Sequence, residues 1–474
     1  MVRRLALATA GGALLAAGCP PWNAPYLLPV GFAALVGALE RATFWQALCA
    51  GMAAGMAHFG GTLFWLGGLF GPAAVFLVAI LAAFTALFGV SFACASRRLS
   101  SVPLWISAPV LWTGIEAYRS EWFVLRFAWS SLGYAVAACP APLQLASVAG
   151  VYGLSLLVVA FGTALRSAWR RPSWRGPALL LFGVWCALCL ARPIRDDLPV
   201  RAATIRLVQA APEDEGALFG MSALRPGVQP AFIVWPDLSL RRDPRDDPRL
   251  WRRVQAVART TGGALVLGIT TSAAHGSFRS AALVVGPDGK VLGERAANHK
   301  ARLVRVGGPG QDARSVATAA GRMGVAICSD LDDPDVARWL TQDGAEAILS
   351  PSMNPSEWGP AQRQQHRLLL RTRAVECRRW IASADVGGSS VIVDATGRDR
   401  WSARSDVAGR IDGLVGLERG RSPYVRASWL LGPTCLVAAL LLMAACLAGA
   451  ARAAIGRRRA STLAGTNERP SRPL

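Results

Sequence analysis

Three short stretches put reactive side chains where an apolar run gives out. In "FIVWPDL" a β-branched run ends at Asp237, and Pro236 removes the amide that another ladder bond would need. In "AANHKARLV" Lys300 follows closely on a strand-like segment, and in "GVAICSD" three apolar residues lead to Cys328 and then a Ser-Asp pair. An acid, a lysine and a cysteine at the rims of one sheet make a workable nucleophilic set. The carboxylate takes the thiol proton, the thiolate attacks an acyl carbon, and the ammonium stabilises the oxyanion that develops. The order alone is weakly specific, because any α/β domain carries acids and lysines in its loops. Each residue also has a plain reading. A free cysteine is among the most buried residue types, Lys300 could be a solvated loop lysine, and an acid after proline commonly caps a turn.

Residue usage narrows these choices. Lysine occurs only twice, as Lys290 and Lys300, in a chain whose lysines and arginines total 51. General basicity is thus met by arginine, and a retained lysine suits a task that wants a compact point charge. Of ten cysteines only Cys328 and Cys377 lie in polar sequence, and "CALC" (Cys186, Cys189) falls inside an apolar run. Neither a disulfide scaffold nor a zinc site is indicated. Cys377 reads as a helix-face residue, and His299 and His366 read as structural. Asp330 could supply a second acid, though it fits better as the cap of a helix starting near "DPDVARWL".

The elements around these residues fall into two halves. The chain has 474 residues, 53% of them hydrophobic, and a positive mean hydropathy, yet its formal net charge is +21. Membrane proteins with basic loops combine these traits. The arginines sit in short loops between apolar spans rather than in one patch interleaved with aromatics, which argues against a nucleic-acid partner. With ~20 apolar residues needed per crossing, spans are expected near 5–22, 26–40, 44–66, 72–95, 103–118, 143–165 and 177–192, with an eighth over 427–451. Arg3 and Arg4 in the cytoplasm would put Arg41, Arg97, Arg98, Arg166, Arg170, Arg171, Arg175 and the tail's Arg457–Arg459 on the same side, as the positive-inside rule asks. The expected domains are therefore a bundle over 1–192, a polar domain over 193–426 on the outer face, a last helix over 427–451 and a basic tail over 452–474. The start "MVRRLALATAGGALLAAGC" also resembles a signal peptide, but its charge order fits an uncleaved first helix. Trp65, Trp129, Tyr134 and Glu116 fall at span ends, where aromatics anchor at the interface and where they could guide lipid chains.

In the polar domain, strand-like runs alternate with amphipathic stretches such as "PRLWRRVQAVARTTGG" and "AQRQQHRLLLRTRAVECRRW", and "GPDGK" marks a hairpin. That alternation predicts a layered α/β domain.

Taken with the bundle stretches "GGTLFWLGG", "LWTGIEAYRS" and "FAWSSLGYA", the motifs "VWPDLSL", "HKARLV", "VAICSD" and "RTRAVECRRW" make the chain resemble the bacterial apolipoprotein N-acyltransferase family. The resemblance covers most of the chain. It implies a multi-pass bundle of about eight helices carrying an extracytoplasmic nitrilase-like αββα sandwich in the bacterial inner membrane. It also implies a triad of Asp237, Lys300 and Cys328, with the backbone N–H of Ser329 in the oxyanion site. Phospholipid would be the acyl donor and a diacylated apolipoprotein the acceptor. No cofactor or metal is implied, and a monomer is expected.

This sequence departs from the family pattern at five places. Asp237 stands where glutamate is usual, Gly308 where a second glutamate is usual, and Ser329-Asp330 where Tyr-Glu is usual. Arg378 replaces a glycine, and Ser383–Gly388 reads "SADVGG" in place of "RATNNG". The pattern suits a divergent enzyme or a paralogue that binds lipid or lipoprotein without acyl transfer.

Overall fold

The computed structural model describes residues 1–99, 102–191, 199–224, 226–272, 278–297, 314–387, 390–404 and 407–466. The N-terminal region is helical: α1 (Val2–Gly18), α2 (Leu28–Leu39), α3 (Phe44–Thr62), α4 (Ala74–Arg98), α5 (Leu104–Ala117), α6 (Ala146–Trp169) and α7 (Arg175–Leu190). A C-terminal helix, Leu431–Thr466, packs against α5. Each stretch expected to cross a bilayer is therefore helical. Four segments among the described residues are long and apolar enough to do so: Leu66–Arg98, Ala146–Trp169, Pro172–Leu190 and Ser428–Ala451. α1, α2 and α5 run 17, 12 and 14 residues, short of the ~20 that a crossing usually takes. Pro20, Pro21 and Pro25 crowd the α1–α2 junction, where the chain leaves the helix.

Small residues let the bundle close. Gly51 and Gly55 form a G-x-x-x-G pair on α3, and a Cβ on either would come within 2.6 Å of the Ala86 or Ala82 Cα on α4. Backbones meet here with almost no side chain between them, as small-residue stripes permit in apolar surroundings. Gly150, at φ +66°, breaks the start of α6, a geometry that only glycine adopts readily.

The polar region forms two six-stranded sheets. The strands are β1 (Ala202–Gln209), β2 (Phe232–Val234), β3 (Ala264–Ser272), β4 (Phe278–Val285), β5 (Val291–Ala296), β6 (Val316–Thr318), β7 (Gly321–Val325), β8 (Ala347–Pro351), β9 (Ile381–Ala384), β10 (Val391–Val393), β11 (Asp399–Ser402) and β12 (Gly409–Gly416). One sheet runs β12-β1-β2-β3-β4-β5 and the other β11-β10-β9-β8-β7-β6. Each has a parallel trio, β1-β2-β3 or β7-β8-β9, flanked by antiparallel strands.

Period-two alternation sorts the side chains into layers. Ile205, Leu207, Phe232, Val234 and Val266 face Val325, Leu349 and Ala382 across the middle. Ile233, Trp235, Leu265 and Leu267 turn outward against α8 (Glu215–Ser222) and α9 (Pro248–Thr261). Ala326, Ile348, Ile381 and Val393 pack on α10 (Pro334–Gln342) and α11 (Gly359–Cys377). The result is the expected αββα sandwich. The edge strands β6, β11 and β12 carry too little apolar alternation to stand out in sequence.

Candidate active site

The parallel trios of both sheets deliver their strand ends to one rim. Past β2, Trp235 still donates to Val266 O at 2.8 Å, then Pro236 ends the ladder and the chain turns at Asp237. Leu238 follows at φ +51°, an uncommon state for a branched residue. The turn lies directly on β3: a Cβ on Gly268 would sit 2.5 Å from the Asp237 Cα. The Asp237 carboxylate, 5% exposed, accepts from the Ser280 hydroxyl of β4 at 2.6 Å and from the Leu238 N–H at 2.8 Å. Burial pushes this carboxyl up to about 7, Asp330 and Asp385 add to the effect, and the two hydrogen bonds oppose it.

Past β7 the chain makes a tight 3₁₀ turn, Cys328–Leu331. Cys328 opens it at φ +45°, so the thiol is carried on a left-handed residue directly after a strand. Such backbone costs of order 1–3 kcal/mol and persists where the surroundings over-determine it. Its Sγ lies 3.6 Å from Met353 O just beyond β8, and the Asp237 N–H donates to the adjacent Ser352 O at 3.2 Å. Two consecutive carbonyls thus hold the acid turn and the cysteine turn together. Burial drives the thiol well above its usual range, and Asp237, Asp332 and Asp385 reinforce this.

Asp330 does not cap α10. It closes its own turn, accepting the Ile327 N–H at 3.0 Å, while Asp333 occupies the N-cap of α10. The reason is local: in a four-residue turn a carboxylate at the third position reaches back to the amide before the turn. Asp385, in the "SADVGG" stretch, is spent likewise on the Asn354 N–H, its Nδ2 and the Val386 N–H, at 2.7–2.8 Å. His366 is buried, pushed down to about 4, and shares a 3.2 Å contact with Asn354. Cys377 is fully buried at the end of α11, its thiol pushed up to about 12 by burial. Lys300, His299 and Gly308 lie outside the described residues, as does Gly388. Among the described residues no cluster of His, Cys, Asp and Glu could hold a metal ion.

The cysteine turn is also fastened to the bundle. Arg373 of α11 donates to Leu331 O and Asp332 O at 3.1 Å, and its guanidinium also contacts the Tyr134 hydroxyl and Glu376. Glu376 accepts the Val151 N–H, freed by the break at Gly150, at 2.7 Å. The Trp129 indole donates to Asp332 at 3.1 Å and the Trp65 indole to Gln365 at 3.1 Å. Trp65, Trp129 and Tyr134 thus direct their polar ends at the α/β domain rather than at a lipid interface. Glu116 lies inside the bundle, bonded to Trp112 and Ser155.

Arg378 ends α11 at φ +50°, the left-handed C-cap position where glycine is usual. Its side chain donates to Gln144 at 2.9 Å and Ser147 at 3.0 Å, which makes this departure another strap to the bundle. Sequence reasoning missed Ser280, Gly268 and Met353. Nothing in their local context marks them, because they act across strands.

Comparison with known proteins matches two separate regions of the chain. Residues 11–164 match the family described as apolipoprotein N-acyltransferase N-terminal domain, and residues 227–403 match the carbon-nitrogen hydrolase family. The chain is 25% identical over 494 aligned residues to the apolipoprotein N-acyltransferase of Geobacter metallireducens, covering 92% of this chain and 94% of that one. It is 27% identical to the one from Allorhizobium ampelinum, covering 84% and 87%. A crystal structure of a carbon-nitrogen hydrolase from Helicobacter pylori overlays 48% of this chain and 94% of its own, at 20% identity and a TM-score of 0.40.

Proposed function

We propose that the chain works as its similarity to apolipoprotein N-acyltransferases suggests, with Cys328 carrying an acyl group from a phospholipid to the N-terminal amine of diacylated lipoproteins. Asp237 takes the Cys328 proton as the thiolate adds to the ester carbonyl. The tetrahedral oxyanion rests on the Lys300 ammonium and the Ser329 N–H. Collapse expels the lysophospholipid alkoxide, which takes the proton back from Asp237 and leaves a thioester. The lipoprotein α-amine then attacks this thioester, Asp237 accepts the amine proton, and that proton returns to the departing thiolate.

The observation that carries this reading is the meeting of Asp237 and Cys328 on the adjacent carbonyls of Ser352 and Met353. The electrostatics support the lysine. Burial first and three carboxylates second raise the thiol, so ionisation there calls for a nearby cation, and Lys300 is one of only two lysines in the chain. Asp237 at about 7 is poised between base and acid at neutral pH.

We take the eight helical stretches as eight crossings of the bacterial inner membrane. Both termini are then cytoplasmic and the sandwich stands on the outer face, within reach of two lipid-anchored substrates. The test is to incubate the purified chain with phospholipid and a diacylated lipopeptide and to weigh the product. A gain of one acyl chain that Cys328→Ala abolishes is expected. No gain contradicts the proposal and favours a binding paralogue, and an equal gain with Cys328→Ala contradicts Cys328 as the acyl carrier.

A further inference from the structure

At the bundle end remote from the sandwich, α2, α6, α7 and the start of α5 surround a groove of about 740 Å³. Val151 of α6 touches the sandwich through Glu376, whereas Arg166 at the groove lies roughly 22 Å further along the same helix. The groove has an apolar floor and a basic mouth. Val36, Leu104, Phe161, Leu181 and Phe182 line the floor; Arg166, Arg170 and Arg171 stand at the mouth with Trp105 and Trp174. Those two indoles are 58% and 55% exposed, as aromatics are at headgroup level.

The charges at the mouth do not cancel. Glu40 pairs with Arg166 at 3.6 Å and with Arg170, which leaves three arginines against one carboxylate. Arg171 has no carboxylate partner among the described residues, and the buried Arg166 Nε, lying against Gly37, has no hydrogen-bond partner. α7 forms one wall, burying only Ala178, Trp185 and Cys189 and leaving Leu181 half exposed at the groove.

We propose that this groove binds one phospholipid with an anionic headgroup, drawn from the leaflet opposite the sandwich. Its phosphate lies against Arg171 and Arg170, and one acyl chain runs along Phe161, Leu181 and Phe182. A zwitterionic lipid would bring its ammonium to the same arginines, and the chain's own basic tail would meet like charge. A lipid in this leaflet sits too far from Cys328 to be an acyl donor, so the site is separate from the proposed reaction. It rests on the membrane-spanning reading of α6 and α7.

Native mass spectrometry of the full chain tests it, by titration with phosphatidylglycerol, with phosphatidylcholine of the same acyl chains, and with inorganic phosphate. One phosphatidylglycerol per chain is expected to be retained, at least about tenfold more tightly than phosphatidylcholine. Arg171→Gln should weaken retention about fivefold, the worth of one arginine near a membrane surface. Leu181→Trp, which fills the floor while keeping the charge, should weaken it independently, and Arg97→Gln, at the same end of the bundle but outside the groove, should not. Equal retention of the two lipids would mean a groove for chains alone, and inorganic phosphate binding as tightly would mean a free-anion site. Either result, or an unchanged Arg171→Gln, overturns the proposal.

Discussion

The two rims that meet at the site are built differently. The acid rim is held within the sandwich: Asp237 is fixed by Ser280, the Leu238 N–H and the close approach of Gly268. The cysteine rim is held in part from the bundle, through the sandwich's own Arg373. The backbone just after Cys328 is gripped by Arg373, and Arg373, Asp332 and Glu376 are tied to Tyr134, Trp129 and Val151 of the bundle. The difference teaches that the helical bundle is part of the cysteine turn's support and only a distant neighbour of the acid.

The largest effect expected is at the acid. Asp237→Asn should lower acyl transfer by about 10²–10⁴-fold, the usual worth of a general base. In the wild type the acid limb of kcat/KM should fall near pH 7. Stability should move the other way. The folded carboxyl titrates at about 7 against an ordinary 3.8, so folding disfavours the ionised form. That cost is absent well below pH 4, grows between the two values and is complete above 7. Asp237→Asn should therefore raise Tm relative to wild type at pH 8 and leave it unchanged near pH 3.5.

Gly268→Ala tests whether the acid rim stands alone. The added Cβ would push on the Asp237 turn, and a shift of ~1 Å is worth about 100-fold in rate. Circular dichroism and the docking of sandwich on bundle should be unchanged. An active Gly268→Ala would break the claim that this approach sets the acid.

Arg373→Met tests the other rim. It leaves Glu376 buried without its ion-pair partner, and breaking such a pair costs about 3–5 kcal/mol, to be read in denaturation. Arg373→Met combined with Glu376→Leu should recover much of that stability but not the rate, because the hold on Leu331 O and Asp332 O stays lost. Full recovery of activity in the double variant would mean that Arg373 is structural only.

The smallest effect belongs to Arg378→Gly. Removing a left-handed arginine relieves about 1–2 kcal/mol of strain, and the lost bonds to Gln144 and Ser147 cost about as much. Tm should move by a few degrees at most, with turnover unchanged.

What could be foreseen follows from how local each signal is. Cys328 and Asp237 end apolar runs, so their positions at a rim are written in adjacent residues. The alternating layers of β1–β4 and the amphipathic α9 were legible for the same reason. Gly268, Ser280 and Arg373 act through contacts between distant segments, and no neighbouring residue announces them. Asp330 was misassigned because two turns follow one another and either could claim the carboxylate. The apolar bundle was plain from composition, whereas α1 and α2 fall short of the simple rule because Pro20, Pro21 and Pro25 interrupt the run between them.

The most direct measurement is the mass of the peptide bearing Cys328 after the purified chain is mixed with phospholipid alone. The account predicts one added acyl group on Cys328, released by hydroxylamine, lost in Asp237→Asn and discharged when a diacylated lipopeptide is added. No acyl group on that peptide, or the same labelling of Cys377, would contradict it.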